Sequence, residues 1–246
     1  MTRQNGAVRI FLYNWPVYVG TWIPALVVLL FLPLMRPPAA LLAALVAGVG
    51  FAWSLVSLLV SFYIYDRSAL VSGRWVPGLI GLRTRTWATI HAGLDAEVEL
   101  DAVMPGRCVA RLDIFDRQIM TSPSITRARV RTPPVNPASP CSPTALALDD
   151  EGCDAIVVAF TAHEIRDRGA REAFFGELRR SLRPGGKVLI VEHLRDFANL
   201  IAFGPGYLHF VSRREWLRLA SHANLAIASE TRITPWVMAL TLERAH

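Results

Sequence analysis

Cysteine is scarce in this 246-residue chain: Cys108, Cys141 and Cys153 are the whole set, with no CxxC pair and no zinc-ligand spacing. That excludes a disulfide framework or a zinc module and leaves three reduced bystander thiols. Charge is missing from two long stretches. Residues 17–35, VYVGTWIPALVVLLFLPLM, carry none, and beyond Arg36-Pro37 residues 38–65 again carry none. Acidic groups are outnumbered, 20 against 26 basic ones, giving a net charge of +6 and a pI near 9.8. A basic balance points to nucleic acid or to an anionic membrane surface. Hydrophobic residues reach 52% and mean hydropathy +0.33, high for a purely soluble chain, which favours the membrane.

Each uncharged stretch is long enough to cross a bilayer core. Residues 1–66 therefore read as a transmembrane helical hairpin, with spans at about 17–35 and 38–65. A second apolar run directly behind the first argues against a cleaved signal peptide. Arg3 and Arg9 precede the first span; Arg67, Arg74, Arg83 and Arg85 follow the second; only Arg36 lies in the turn. The positive-inside bias predicts an integral protein of the inner or cytoplasmic membrane, with both termini and the following domain cytoplasmic. Trp15, Tyr18, Trp22, Tyr63 and Tyr65 fit an aromatic belt at that interface. Pro24 and Pro33 are places where the first span can kink. Ala43, Ala47, Gly48 and Gly50 would let helices approach closely, within one hairpin or in a homodimer. Residues 67–86 read as an interfacial linker, with arginines toward lipid headgroups, or equally as a lid over the domain that follows.

From residue 87 onward strands alternate with helices. Strands are expected at 87–92, 108–114, 144–148, 154–160 and 188–191. Helices are expected at 95–104, at 122–130 with Ser122 as cap, at 168–183, and at 212–223, where Ser212 and Glu215 make a capping box. Residues 131–143, rich in Pro and Ser, read as irregular. Two last strands, 226–234 and 236–243, read as a hairpin on the sheet edge. The strands at 154–160 and 188–191 are apolar on both faces, as parallel strands covered by helices must be. Residues 87–246 thus predict an α/β, doubly wound sheet with a C-terminal antiparallel hairpin.

Two segments carry a resemblance. Residues 148–165, LDDEGCDAIVVAFTAHEI, and 174–193, FFGELRRSLRPGGKVLIVEH, resemble the class I S-adenosylmethionine-dependent methyltransferases, over about residues 87–243. The resemblance implies a Rossmann-like methyltransferase sheet, S-adenosylmethionine as cofactor, and a small-molecule or lipid-soluble acceptor beside membrane lipid. It assigns Asp113, at the end of the second strand, to the ribose hydroxyls, because a carboxylate offers two acceptors to two vicinal hydroxyls. Asp116 is the alternative if the register slips. It places the cofactor loop at residues 90–95, where Gly93 stands alone for the family's glycine-rich turn and His91 replaces its usual acid. Phe160, closing its strand, is a further cofactor contact. The acid that contacts the adenine amine should fall at 139–146, where there is no Asp or Glu; backbone groups of Thr144 or Ala145 would serve instead.

His163 and Glu164 follow the 154–160 strand at its carboxyl end, where open α/β sheets place their ligands. There His163 can act as base on a substrate proton, oriented by Glu164. Glu192 and His193 end the next strand beside them. No ligand spacing in this cluster is diagnostic, so no metal is expected. His209, with Tyr207 and Phe210, falls in a loop over the substrate side. Methyl transfer asks mainly for alignment of three groups, so the lack of a catalytic triad does not count against it. There is no Asn-Pro-Pro-Tyr-type base-flipping motif, and no nucleic-acid partner is expected. The lost glycines leave a second expectation open: a catalytically inactive domain that binds a ligand or a partner.

Overall fold

The structure, a computed structural model, describes residues 5–93, 100–131 and 138–245. It opens with two antiparallel helices, α1 (Gly6–Phe31) and α2 (Pro37–Phe62), joined by a 3-10 turn at Leu32–Leu34. Both are long and apolar enough to cross a membrane. Their outer faces, including Leu26, Leu30, Leu41, Leu45 and Leu59, stand exposed. Pro37 occupies the first turn of α2, where its missing N–H costs nothing.

The base of the hairpin is closed by charge. Asp66 accepts hydrogen bonds from the Gly6 and Ala7 amides at 2.6 and 3.0 Å, placing a carboxylate on the positive end of α1. Only glycine fits at position 6, since a Cβ there would collide with Tyr65. Inside the hairpin polar groups satisfy one another: the Trp22 indole donates to Ser54 Oγ at 2.6 Å, and Tyr18 pairs with Ser57. The kink in α1 falls at Asn14 (φ −115°, ψ 15°), two residues before Pro16. Pro24 sits within the helix without a break, and Pro33 lies in the connecting turn. The Tyr13 carbonyl, next to the kink, accepts from Arg127 of the following domain.

Two short helices, α3 (Ala69–Ser72) and α4 (Val76–Ile80), lead into the sheet. The strands are β1 (Thr86–His91), β2 (Arg107–Asp113), β3 (Ser139–Pro140), β4 (Cys153–Ala159), β5 (Leu182–His193), β6 (Leu225–Thr234) and β7 (Val237–Arg244). Among the described residues they form one sheet in the order β3-β2-β1-β4-β5-β7-β6. The first five are parallel; β7 runs antiparallel between β5 and β6. The helices between and after them are α5 (Pro123–Arg131), α6 (Arg168–Ser181), α7 (Phe197–Phe203) and α8 (Arg213–His222).

Several expectations are corrected here. Residues 144–148 are not a strand; the third parallel strand is the two-residue Ser139–Pro140, beside Leu112 and Asp113. The helix expected at 95–104 lies partly outside the described residues, and 100–104 form a turn. Of the two readings of segment 67–86, the packing follows the lid over the domain. Leu70, Val76 and Ile80 are buried, with Val60, Ile64 and Tyr65 of the hairpin, against Ala155, Val157, Leu189 and Val191 of the sheet. The physical reason is that a sheet apolar on both faces needs two covers. The opposite face is covered by Phe174, Phe175 and Leu178 of α6 and by Trp216 and Leu219 of α8. The hairpin's end is thus part of the domain's own core.

The Pro184-Gly185-Gly186 turn sits within β5. Cys153 faces Leu182 and Ala155 faces Lys187, so the strand bulges between them before running straight to His193. Gly185 has φ +76°, and a Cβ on Gly186 would lie 2.8 Å from the Asp154 carbonyl.

Candidate active site

Parallel strands end together, and the register decides which side chains meet. His91 ends β1 directly beside Asp113, which ends β2. Ala159 pairs with Val191, so the loop after β4 runs beside Glu192 and His193. The carboxyl edge therefore carries two groups of residues.

The first group holds the expected cofactor residues. His91 is buried, and its Nδ1 accepts from the Gly93 amide at 3.1 Å. Gly93 has φ +97°, a left-handed conformation that glycine tolerates. Asp113 Oδ1 accepts from the Phe115 amide at 3.1 Å. Its two oxygens also take a bidentate pair from Arg129 of α5, at 2.9 and 2.8 Å. The guanidinium stacks over Phe115 at 4.4 Å, and a Cβ on Gly93 would lie 2.8 Å from Arg129 Cγ. Sequence reasoning missed Arg129: its partner is 16 residues away, on another element. Leu94 and Asp95 of the loop lie outside the described residues.

The second group is a buried network. Glu192 Oε1 accepts from the Thr161 and His163 amides at 3.1 and 3.2 Å, and Oε2 pairs with His163 Nδ1 at 2.6 Å. Glu164 Oε1 lies 3.5 Å from His163 Nε2 and 3.2 Å from His209 Nε2. Arg166 donates to the His209 carbonyl at 2.9 Å and to its ring nitrogen Nδ1. Burial alone would discharge the His163 ring, but the Glu192 and Glu164 carboxylates outweigh it and push its pKa up to about 10. Burial raises Glu164, yet its bonds to His163 and His209 hold it far below the usual carboxylate range. The ligand atoms of His163, Glu164 and His209 lie close enough to share a cation. Arg166, however, already brings positive charge to His209, and the paired charges balance, so a metal would have to displace a guanidinium.

Beside the network stands an aromatic wall. Phe160, left-handed at φ +50°, packs 5.3 Å from His193, which stacks on Phe210 at 4.8 Å and meets Phe203 at 5.4 Å. His193 is buried, and burial pulls its pKa down to about 4. Its Nδ1 bonds the Trp236 carbonyl at 2.9 Å, and its Nε2 pairs with the Tyr65 hydroxyl at 2.8 Å. A neutral ring with Nδ1–H then accepts the Tyr65 O–H at Nε2. Tyr65 comes from the π-helical turn Tyr63–Arg67 that ends the hairpin. The aromatic-belt reading of Tyr18 and Tyr65 gives way, since both are buried. The sequence signal for Tyr65 was hidden because it looked like the end of a span.

The structure thus brings His163, Glu164, Glu192, His193, His209 and Phe210 together, with Phe160 at their border. It sets His91, Gly93 and Asp113 side by side at the ends of β1 and β2, next along the sheet from β4. Asp113 offers a carboxylate of the kind a ribose diol needs, but Arg129 holds both its oxygens and lies against Gly93 with Cγ and Nη1 each 2.8 Å from where a Cβ would be.

Comparison with known proteins follows the same line. Residues 105–190 match the model of a methyltransferase domain. No curated protein matches the chain. A SAM-dependent methyltransferase from Aquifex aeolicus is similar in structure, with a TM-score of 0.53 at 16% identity, over 77% of this chain and 97% of that one. The pyocyanin biosynthetic protein PhzM is similar at a TM-score of 0.54 and 15% identity, over 99% of this chain and 74% of that one. At these identities the likeness is one of fold. The matched stretch and the shared fold together support a methyltransferase domain that uses S-adenosylmethionine, within the α/β part of the chain.

Proposed function

We propose that the protein is a membrane-anchored methyltransferase acting on a small or lipophilic acceptor at the cytoplasmic face. One observation carries this reading. Tyr65, at the foot of the second apolar helix, donates its hydroxyl to His193 at the carboxyl end of β5. Anchor and site are built from one piece of chain, and an acceptor dissolved in lipid is held at high effective concentration beside the site. The arginines at 3, 67, 74, 83 and 85, against Arg36 alone in the turn, support termini and domain on the cytoplasmic side.

The cofactor, when bound, supplies a methyl group already activated on sulfur. The chain binds and orients. Asp113 would hold the ribose hydroxyls if Arg129 released its carboxylate, with His91 and Gly93 shaping the loop beside it. Phe160, Phe203 and Phe210 exclude water from the acceptor. His163, held as an imidazolium between Glu192 and Glu164, fixes the loop after β4 and keeps its proton at neutral pH. His193, kept neutral by burial, holds its Nε2 on the Tyr65 hydroxyl and closes the aromatic wall on the hairpin side.

A second reading has its own support. Arg129 seals Asp113, as expected of a domain that has lost cofactor binding and serves as a ligand- or partner-binding module. Calorimetric titration of the detergent-purified chain with S-adenosylmethionine and its demethylated product separates the two. The enzyme reading expects heat for both, and a loss of about 10- to 100-fold in affinity for Asp113→Ala, the value of hydrogen bonds to a charged group. No heat for either ligand, in wild type and in Arg129→Ala, establishes the second reading.

A further inference from the structure

The exposed apolar surface of the hairpin does not stop where the domain begins. On α2, Leu55, Val56 and Leu59 face outward, Leu59 at 67% exposure. Residues 37–59 span roughly 34 Å at 1.5 Å per residue, close to the roughly 30 Å hydrocarbon core of a bilayer. If the hairpin is in lipid, the boundary of the apolar slab lies near Leu59. Yet the domain touches α2 nearer the tip than that. The Trp53 indole donates to the Ile201 carbonyl of α7 at 2.6 Å, and Gly204 packs against the same ring. Trp53 lies six residues inside Leu59, roughly 9 Å deeper. Its side chain leans further toward the helix N-terminus, which is the tip.

We infer that α7 and the turn after it, residues 197–209, form a second membrane-embedded face, seated in the acyl region of the bilayer beside the hairpin. This rests on the anchored reading above. The side chains agree. Phe197, Ile201 and Leu208 are 75%, 52% and 57% exposed, the large apolar groups a soluble surface seldom groups together. Arg195, just before α7, is exposed at the level expected for headgroups and donates to the Phe210 carbonyl. The opposite side of α7 turns inward, where Phe203 meets His193 at 5.4 Å. One seven-residue helix thus separates lipid from the aromatic wall, and the occupant of its outer face is the bilayer. A lipophilic acceptor reaches His193 by passing α7 without crossing water.

The test uses the full chain with Cys108 and Cys141 changed to Ser; Cys153 is buried, its thiol pushed up to about 11, and stays unlabelled. Single cysteines at Phe197, Ile201 and Leu208 carry a polarity-sensitive fluorophore. Leu26 and Leu45 report on the hairpin, and Leu82 on the exposed linker. The protein is placed in nanodiscs of phosphatidylcholine and phosphatidylglycerol, with and without brominated acyl chains. The expected result is a blue shift and loss of emission at 197, 201 and 208 matching those at 26 and 45, with neither at 82. Quenching at 26 and 45 but not on α7 overturns this inference and leaves the anchor standing. No quenching anywhere overturns both.

Discussion

His163 and His193 are buried 30 residues apart in sequence, on adjoining loops, and their charges go opposite ways. His163 sits between two carboxylates; His193 has a carbonyl, a phenol and aromatic rings. The consequences for stability have opposite signs. The ordinary value is 6.5, and in the fold His163 rises to about 10, so its contribution is complete below pH 6.5 and is lost as pH climbs toward 10. His193 falls to about 4, so its contribution is complete above pH 6.5 and is lost as pH drops toward 4. Thermal melting in detergent should therefore peak near pH 6.5. Glu192→Gln should flatten the alkaline limb and cost about 3–5 kcal/mol, because it leaves His163 half-paired in a dry site. His193→Asn should flatten the acid limb only. Arg129 makes a second prediction at this scale. Its pair with Asp113 is partly exposed, so Arg129→Ala should cost less than about 1 kcal/mol in melting, yet tighten S-adenosylmethionine binding by baring the carboxylate. The positions of Asp113 and His163 at the carboxyl edge were legible from sequence because strand ends announce themselves, whereas the base role expected of His163 is not, since the carboxylates of Glu192 and Glu164 hold its proton. The Arg129 pair and the Tyr65 contact were not, since each joins residues that only the finished packing brings together.

Among elements, those with a local signature were read well. The β4–α6–β5 unit announces itself by two strands apolar on both faces with a helix-length segment between them. The cap of α8 is as expected: Ser212 accepts from the Glu215 amide at 3.3 Å. The edge hairpin β6–β7 follows its turn. The failures share one cause. The strand β3 has only two residues, one a proline, and exists because β2 offers it an edge, so no periodicity could mark it. The bulge in β5 is fixed by the approach of Gly186 to the Asp154 carbonyl, a contact 32 residues away. Turn glycines are the sensitive points. At Gly106, φ is +77° and a Cβ would collide with the Arg85 carbonyl at the start of β1. Gly106→Ala should cost about 1–3 kcal/mol by strain and overpacking, read as a lower denaturant midpoint with unchanged slope.

At the scale of the whole molecule the division into anchor and domain, drawn near residue 66 from composition, does not follow the packing. Val60, Ile64, Tyr65, Leu70, Val76 and Ile80 cover one face of the sheet. Each such side chain contributes about 1.5–3 kcal/mol when fully buried. A chain starting at residue 87 should therefore fail to fold cooperatively: proton NMR should lack dispersed methyl signals, and a hydrophobic dye should bind strongly. A chain starting at residue 58, which keeps the cover and omits most of the hairpin, should recover a sharp melting transition. Composition could not show this, because apolar residues that face lipid and those that face a sheet look alike.

The clamp at the foot of the hairpin also bears on how the protein is made. Asp66 binds the amides of Gly6 and Ala7 across 60 residues, and Tyr65 waits for His193, another 128 residues on. During synthesis the first clamp closes as soon as residue 66 leaves the ribosome. On the proposed anchored reading, the hairpin would then enter the bilayer as a closed pair while its aromatic foot still lacks a partner. Until β5 is complete, Tyr65 on that foot lacks its His193 partner. The anchored reading thus expects an order of biogenesis in which the hairpin is placed first and the sheet assembles onto its foot.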